Sequence, residues 1–197
     1  MANEPAPHES PQVPAHGIMP PPMPPPMPAD GAPASEQESA APAIARDAIG
    51  LLTEDHRKVE LLFASFAQVR HGDSVEEKFS VAKQVCGDLL IHMAIEEAIF
   101  YPKVRQALAE GALVDEAEHE HDGAKELIKE LGDIDPADPV FDMKIESLAQ
   151  QIVEHVEKEE TVVFPKMLIA PVDLVALGME LATAKSDMRS QLGLPPE

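Results

Sequence analysis

Cysteine occurs once in the 197 residues, at Cys86, so no intramolecular disulfide can form and a reducing, cytoplasmic setting is expected. Tyrosine also occurs once, at Tyr101, and tryptophan is absent. Basic residues are scarce: 15 Lys and Arg stand against 36 Asp and Glu, for a net charge of −21 at pH 7. A surface this acidic repels phosphate backbones and anionic lipids, so neither nucleic acid nor a membrane is expected as a partner. No uninterrupted apolar run approaches the roughly 18–20 residues that span a bilayer. The opening Met-Ala-Asn-Glu-Pro lacks the basic and apolar regions of a secretory signal. No stretch alternates apolar and polar residues as a half-buried strand would.

Residues 1–43 lack Leu, Phe, Tyr and Trp, and their only branched aliphatics are Val13 and Ile18. They hold 13 of the 20 prolines, including the run from Met19 to Pro28. Such a segment cannot bury enough apolar surface to offset the entropy of ordering it. A disordered tail with short polyproline II stretches is expected, and a proline-rich ligand for a protein partner is the alternative.

What is present, from Ile44 onward, is helical periodicity. A first helix is predicted over 45–70, with Val59, Leu62, Phe63, Phe66 and Val69 on one face, a break near Gly50, and Thr53 as N-cap. A second opens at Ser74-Val-Glu-Glu77, a capping box, and runs to Tyr101-Pro102. A third covers 113–131 and stops at Gly132, and a fourth runs from Pro139 to Phe164-Pro165. A further amphipathic helix follows Pro171, with Leu174, Leu177, Leu181 and Met188 on its apolar side. Short connections favour antiparallel neighbours, so the expected fold is all-α: an up-down four-helix bundle over 44–170, with an extra helix and tail over 171–197.

Polar residues interrupt the apolar stripe on all four main helices. The fourth reads Ile145, Leu148, Ile152, His155, Glu159, Val162, and the second reads Val85, Leu89, His92, Glu96, Ile99. The third gives Val114, Ala117, His121, Ala124, Ile128, and the first places His56 just before Val59 and Phe63. Burying unpaired imidazoles and carboxylates costs several kcal/mol each unless something satisfies them. A metal cation does so directly. In each His-x3-Glu pair the two side chains lie about 40° apart around the helix and one turn apart along it, within reach of one metal region.

These residues also repeat. The pattern H-x3-E-E-x3-[YF]-P-K begins at His92 and again at His155, an offset of 63 (155 − 92). The lone histidines His56 and His121 recur at 65 (121 − 56). One His-x3-Glu alone reads as a surface ion pair. Two in register, each preceded by a matching histidine, read as half-sites facing each other across a pseudo-two-fold axis around two metals.

Four segments together resemble the hemerythrin-like (HHE cation-binding) domain family across residues 45–168. They are Leu51-Leu-Thr-Glu-Asp-His56, His92-x3-Glu96-Glu-x3-Tyr-Pro102, Glu118-His-Glu-His121 and His155-x3-Glu159-Glu-x3-Phe-Pro165. The resemblance implies a four-helix bundle around a non-haem di-iron centre. His56, His92, His121 and His155 would be nitrogen ligands, and Glu96 and Glu159 bridging carboxylates. It also implies a departure from the oxygen carriers, which have a further histidine where Lys125 stands and a bridging Asp five residues after the last His, where Glu159 comes at four. Two six-coordinate irons have about twelve positions, and these ligands with a bridging oxo or hydroxo group fill all but about two. Peroxide or nitric oxide chemistry is then more plausible than simple oxygen carriage. Imidazole and carboxylate also suit manganese and zinc, so iron rests on the resemblance. A ferritin-like site is disfavoured, because it needs Glu-x-x-His on two helices and the motif occurs on the third alone, at Glu118 and His121 with Glu116 and His119 overlapping it.

Other polar residues take lesser roles. His119 faces away from His121 and reads as surface. Glu118 shares the side of His121 and is a surface group, with an outer acceptor or a substitute ligand as the alternatives. Glu97 and Glu160 lie one step past the ligand stripe, as solvated groups or outer partners of the ligands. Lys125 is expected to snorkel outward, with an ammonium near the open coordination positions as the alternative. Tyr101 lies roughly opposite His92 and is expected to pack, Cys86 to fill a small core position, and His71 to end the first helix. His8 and His16 fall in the tail. The expectation is a cytoplasmic di-iron protein that binds O2, NO or peroxide, whether as an enzyme, a sensor or an iron store, since all three need the same ligands.

Overall fold

The computed structural model describes residues 46–72 and 74–194, so the tail assigned to 1–43, with His8 and His16, lies outside the described residues. The secondary structure of the described residues is entirely helical. Helix α1 (Ala48–Val69) is capped by Asp47, whose Oδ1 accepts from the Gly50 N–H at 2.7 Å. The break predicted at Gly50 and the cap at Thr53 are therefore not seen. Asp47 satisfies the first turn one turn earlier, and burial of Ala48, Leu51 and Leu52 holds that turn in the helix. Helix α2 (Val75–Ile95) starts as expected, with Ser74 Oγ accepting from the Glu77 N–H at 3.1 Å.

Neither long helix stops at its proline. After α2 comes a π-helical turn, π1 (Glu96–Phe100), and then α3 (Tyr101–Leu108). After α4 (Gly111–Gly132) and α5 (Pro139–Lys158) the same happens, with π2 (Glu159–Val163) and α6 (Phe164–Ile169). The Tyr101 N–H bonds back to the Glu96 carbonyl and the Phe164 N–H to the Glu159 carbonyl, five residues earlier. Widening the turn places Pro102 and Pro165 in the first turn of a new α segment, where their missing N–H is not needed.

Two apolar clusters fill the bundle. One contains Leu52, Ile95, Phe100, Tyr101, Met167 and Leu181, and the other Phe66, Val85, Leu89, Phe141, Ile145 and Leu148. Each fully buried side chain of this size contributes about 1.5–3 kcal/mol. The last helix, α7 (Leu174–Gln191), is capped by Asp173 and packs on α1, α2 and π1, burying Leu177 and Leu181. Gly178 lets it approach the start of α1 closely: a Cβ there would sit 2.7 Å from Asp47 C and 2.8 Å from Ala48 N. Among the described residues no helix is long and apolar enough to cross a membrane.

Candidate metal centre

The six polar residues that interrupt the stripes meet inside the bundle. His56, His92, His121, His155, Glu96 and Glu159 are all buried, the two glutamates at 0% and 1% exposure. His56, His92, Glu96 and Glu159 each offer a ligand atom within 4.8 Å of the others, and Glu96, His121 and His155 form a second such group. Each carboxylate lies between the two groups. Glu96 Oε2 is 3.1 Å from His92 Nε2 and 3.5 Å from His121 Nε2. Glu159 Oε2 is 3.3 Å from His56 Nε2 and 3.6 Å from His155 Nε2. His121 Nε2 and His155 Nε2 are 3.1 Å apart.

All four imidazoles point Nε2 inward and turn Nδ1 to a carboxylate. His56 Nδ1 meets Glu160 Oε1 at 2.9 Å, His121 Nδ1 meets Glu97 Oε1 at 2.8 Å, and His155 Nδ1 meets Glu120 Oε2 at 3.0 Å. Asp55 Oδ2 faces His92 Nδ1 at the longer distance of 3.6 Å. A carboxylate at Nδ1 keeps the proton there and leaves the Nε2 lone pair aimed at the centre. A cation backs each carboxylate in turn: Arg57 on Glu160, Lys185 on Asp55, Lys158 on Glu120, and Lys125 on Glu97 at 2.6 and 2.7 Å.

Glu97 and Glu160 thus bond the inward histidines His121 and His56 rather than standing free in solvent. Lys125 does not snorkel away, because its ammonium is the counter-ion of Glu97. Glu118 turns outward to Arg105, 2.8 Å away. Asp55 and Glu120 escaped the stripe argument because each precedes a lone histidine by one residue. Their repeat offset of 65 (120 − 55), the same as that of the histidines, is the signal that marks them.

Tyr101 corrects the expectation. Counting about 100° per residue places it opposite His92, but the extra residue in π1 rotates the following segment by roughly one residue's turn. Its Oη donates to Glu159 Oε1 at 2.9 Å and lies 3.2 Å from His121 Nε2, with its ring over the His121 ring at 5.4 Å. Phe164, the equivalent residue after π2, stacks on His56 at 5.6 Å and 5°. Each hairpin therefore covers the lone histidine of the other. Phe164 has no hydroxyl, so this covering is equal in shape but not in chemistry.

Without a cation these groups oppose one another. Burial and the facing Glu159 carboxylate push Glu96 well above the usual carboxylate range. Burial would raise Glu159 as well, but His56, His155 and His92 hold it down to about 2. Burial, with His155 beside it, drives His121 down to about 2, and burial also lowers His92. Burial opposes protonation of His56, but Glu159 and Glu160 outweigh it and raise its pKa. Burial followed by Glu96 and Glu159 pushes the Tyr101 phenol well above its ordinary value, which keeps it a donor. His56 Nε2, His92 Nε2, both oxygens of Glu96 and Glu159 Oε2 are buried without a hydrogen-bond partner. Orphaned nitrogen lone pairs and carboxylate oxygens converging on one volume are the donor set of a divalent or trivalent metal. Cys86 takes no part: it is half-buried on α2, and burial pushes its thiol up to about 11.

A helical bundle with inward histidines and shared carboxylates defines a cation-binding helical protein. Residues 47–167 match the hemerythrin HHE cation binding domain, and the chain belongs to that family. Its fold is similar to the crystal structure of a hemerythrin HHE cation binding domain-containing protein from Mycobacterium kansasii, with a TM-score of 0.62 and 22% identity over 74% of this chain and 89% of that one. It is also 30% identical over 141 residues to a DNA nickase from Nostoc sp., covering 71% of this chain but only 39% of that relative's length.

Proposed function

We propose that this chain holds two metal ions, iron in the native protein, and that the pair binds a small oxidant or diatomic ligand: O2, NO or peroxide. His56 and His92 would hold one ion, His121 and His155 the other, with Glu96 and Glu159 bridging. The observation that carries this is the orphaned set of inward donor atoms, with four Nδ1 positions each facing a carboxylate. When bound, such a pair supplies redox and Lewis-acid chemistry at positions the protein leaves open. The chain's own residues orient the imidazoles, bury the centre between the two apolar clusters, and aim the Tyr101 hydroxyl, as donor, at Glu159 Oε1. A sensor or iron store without turnover is the alternative. DNA cleavage, the activity in the name of the Nostoc relative, is disfavoured here by the net charge of −21.

The test is metal stoichiometry on protein expressed with iron, read with the absorption spectrum of the same sample. Two irons per chain with near-ultraviolet charge-transfer bands are expected. His155→Ala with Glu159→Ala should abolish two-metal loading while helicity persists; unchanged metal content in that double variant would sink the assignment.

A further inference from the structure

The two half-sites differ in what covers them. On the first, α7 packs over α1, α2 and π1, and Leu51, Leu52, Ile95 and Phe100 join Leu177 and Leu181 in one apolar cluster; the cavity on that side, about 270 Å³ between α1 and α7, is lined by charged residues such as Arg46, Asp55 and Lys185 and by none of the six inward residues of the centre. The repeat places Glu116, Ala117, Lys158 and Val163 at the corresponding positions of the second half, at offsets of 65 and 63. Two large apolar side chains there become small ones, and two buried apolar ones become charged. The result is a cavity of about 200 Å³ between α4 and α5. Leu113, Ala117, Val162 and Val163 form its walls, and His155 and Glu159 are at its floor.

The rim is polar and reaches the surface. Lys158 bonds Glu116 at 2.5 Å and also bonds Glu120, joining α5 to α4 beside the cavity. Glu120 in turn holds His155 Nδ1. Two carboxylates against one ammonium repel anions at this mouth, whereas an uncharged molecule meets only apolar walls behind it. The volume suits a molecule of a few heavy atoms, since a water occupies about 30 Å³ of liquid.

We propose that this cavity is the entry and docking site for a small neutral ligand, and that such a ligand is received at the His121–His155 half of the centre rather than at the α7-capped half. The proposal rests on the two-metal reading above and adds a route and a side to it. Ala117 and Val163 are what keep the cavity open: Ala117→Leu and Val163→Phe each install the residue that the first half carries.

The experiment has two arms. In the metal-free protein, xenon is the probe: crystals under xenon pressure should show an atom between Ala117 and Val162, and Ala117→Leu should remove it. In the iron-loaded, reduced protein, nitric oxide is the probe, followed by stopped-flow absorption. Ala117→Leu should slow NO association by about tenfold or more with iron content unchanged, and Val163→Phe should do the same if the first variant folds poorly. Met179→Ala, at an exposed position of α7 that lines neither cavity, should leave the rate at the wild-type value. Xenon bound but no iron loaded would overturn the two-metal reading, and the proposal with it. Iron loaded with unaltered NO association in both cavity variants would overturn the entry site alone, as would xenon absent from the cavity.

Discussion

Three of the inward imidazoles, His56, His121 and His155, are held at the outer nitrogen by a carboxylate, His92 faces Asp55 at 3.6 Å, and each carboxylate has a cation behind it, so these ring orientations do not depend on a metal. Tyr101 brings to the centre a hydroxyl that its counterpart Phe164 lacks. Tyr101→Phe copies Phe164 and removes one hydrogen bond to a buried, ionised carboxylate. It is expected to lower the stability of the metal-free protein by about 1–3 kcal/mol in urea titrations, keep two metals per chain, and shift the charge-transfer bands of the iron-loaded form. Unchanged bands would mean that the hydroxyl does not influence the centre. The six inward donors were legible from sequence because they break an apolar stripe and do so twice. Tyr101 was not, because a helical wheel assumes a constant turn and π1 breaks it. Asp55 and Glu120 were hidden by position: one residue before a lone histidine looks off the face, although the outward Nδ1 of a neighbouring histidine is reached from there.

The prolines that look like helix ends are instead the reason for two π turns, and both turns begin at the buried glutamates Glu96 and Glu159. Helix starts were easier to read, because Ser74, Pro139 and the stop at Gly132 act through local bonds that the sequence displays. Gly50 misled, since Asp47 caps the helix before it and a helical glycine costs only about 1 kcal/mol. Packing of α7 depends on a different glycine. In Gly178→Ala the new methyl meets backbone of Asp47 and Ala48 that cannot step aside. The expected outcome is a loss of about 1–3 kcal/mol, seen as a lower thermal midpoint, with two-metal stoichiometry retained because α7 supplies no ligand. Loss of metal together with the midpoint would show that α7 builds the first half-site rather than merely covering it.

Across the molecule, acid acts on several shifted groups at once, and their signs can be followed. Glu159, held down to about 2, and Glu120 and Asp55, also lowered, favour the folded state above their unfolded values, and this contribution is lost as pH falls toward their folded ones. His121, kept neutral down to about 2, adds to the loss, because the unfolded chain takes up that proton from about pH 6.5 downward. His56 and Glu96 shift upward and oppose this near neutrality, but below about pH 4.5 both are protonated folded or unfolded and contribute no further slope. The metal-free protein should therefore lose stability steeply between about pH 4.5 and 2, measured as the urea midpoint at successive pH values. A flat profile across that window would contradict the buried arrangement of these carboxylates.

The covering of each lone histidine by the opposite hairpin has a consequence for synthesis. His56 leaves the ribosome early, but the carboxylate at its Nδ1 is Glu160 and the ring stacked on it is Phe164, more than a hundred residues later in translation order (160 − 56 = 104). Glu96 and Glu159 likewise come from different hairpins. A nascent chain therefore has no finished pocket to trap stray ions while it is being made, and loading becomes the last act of a completed polypeptide.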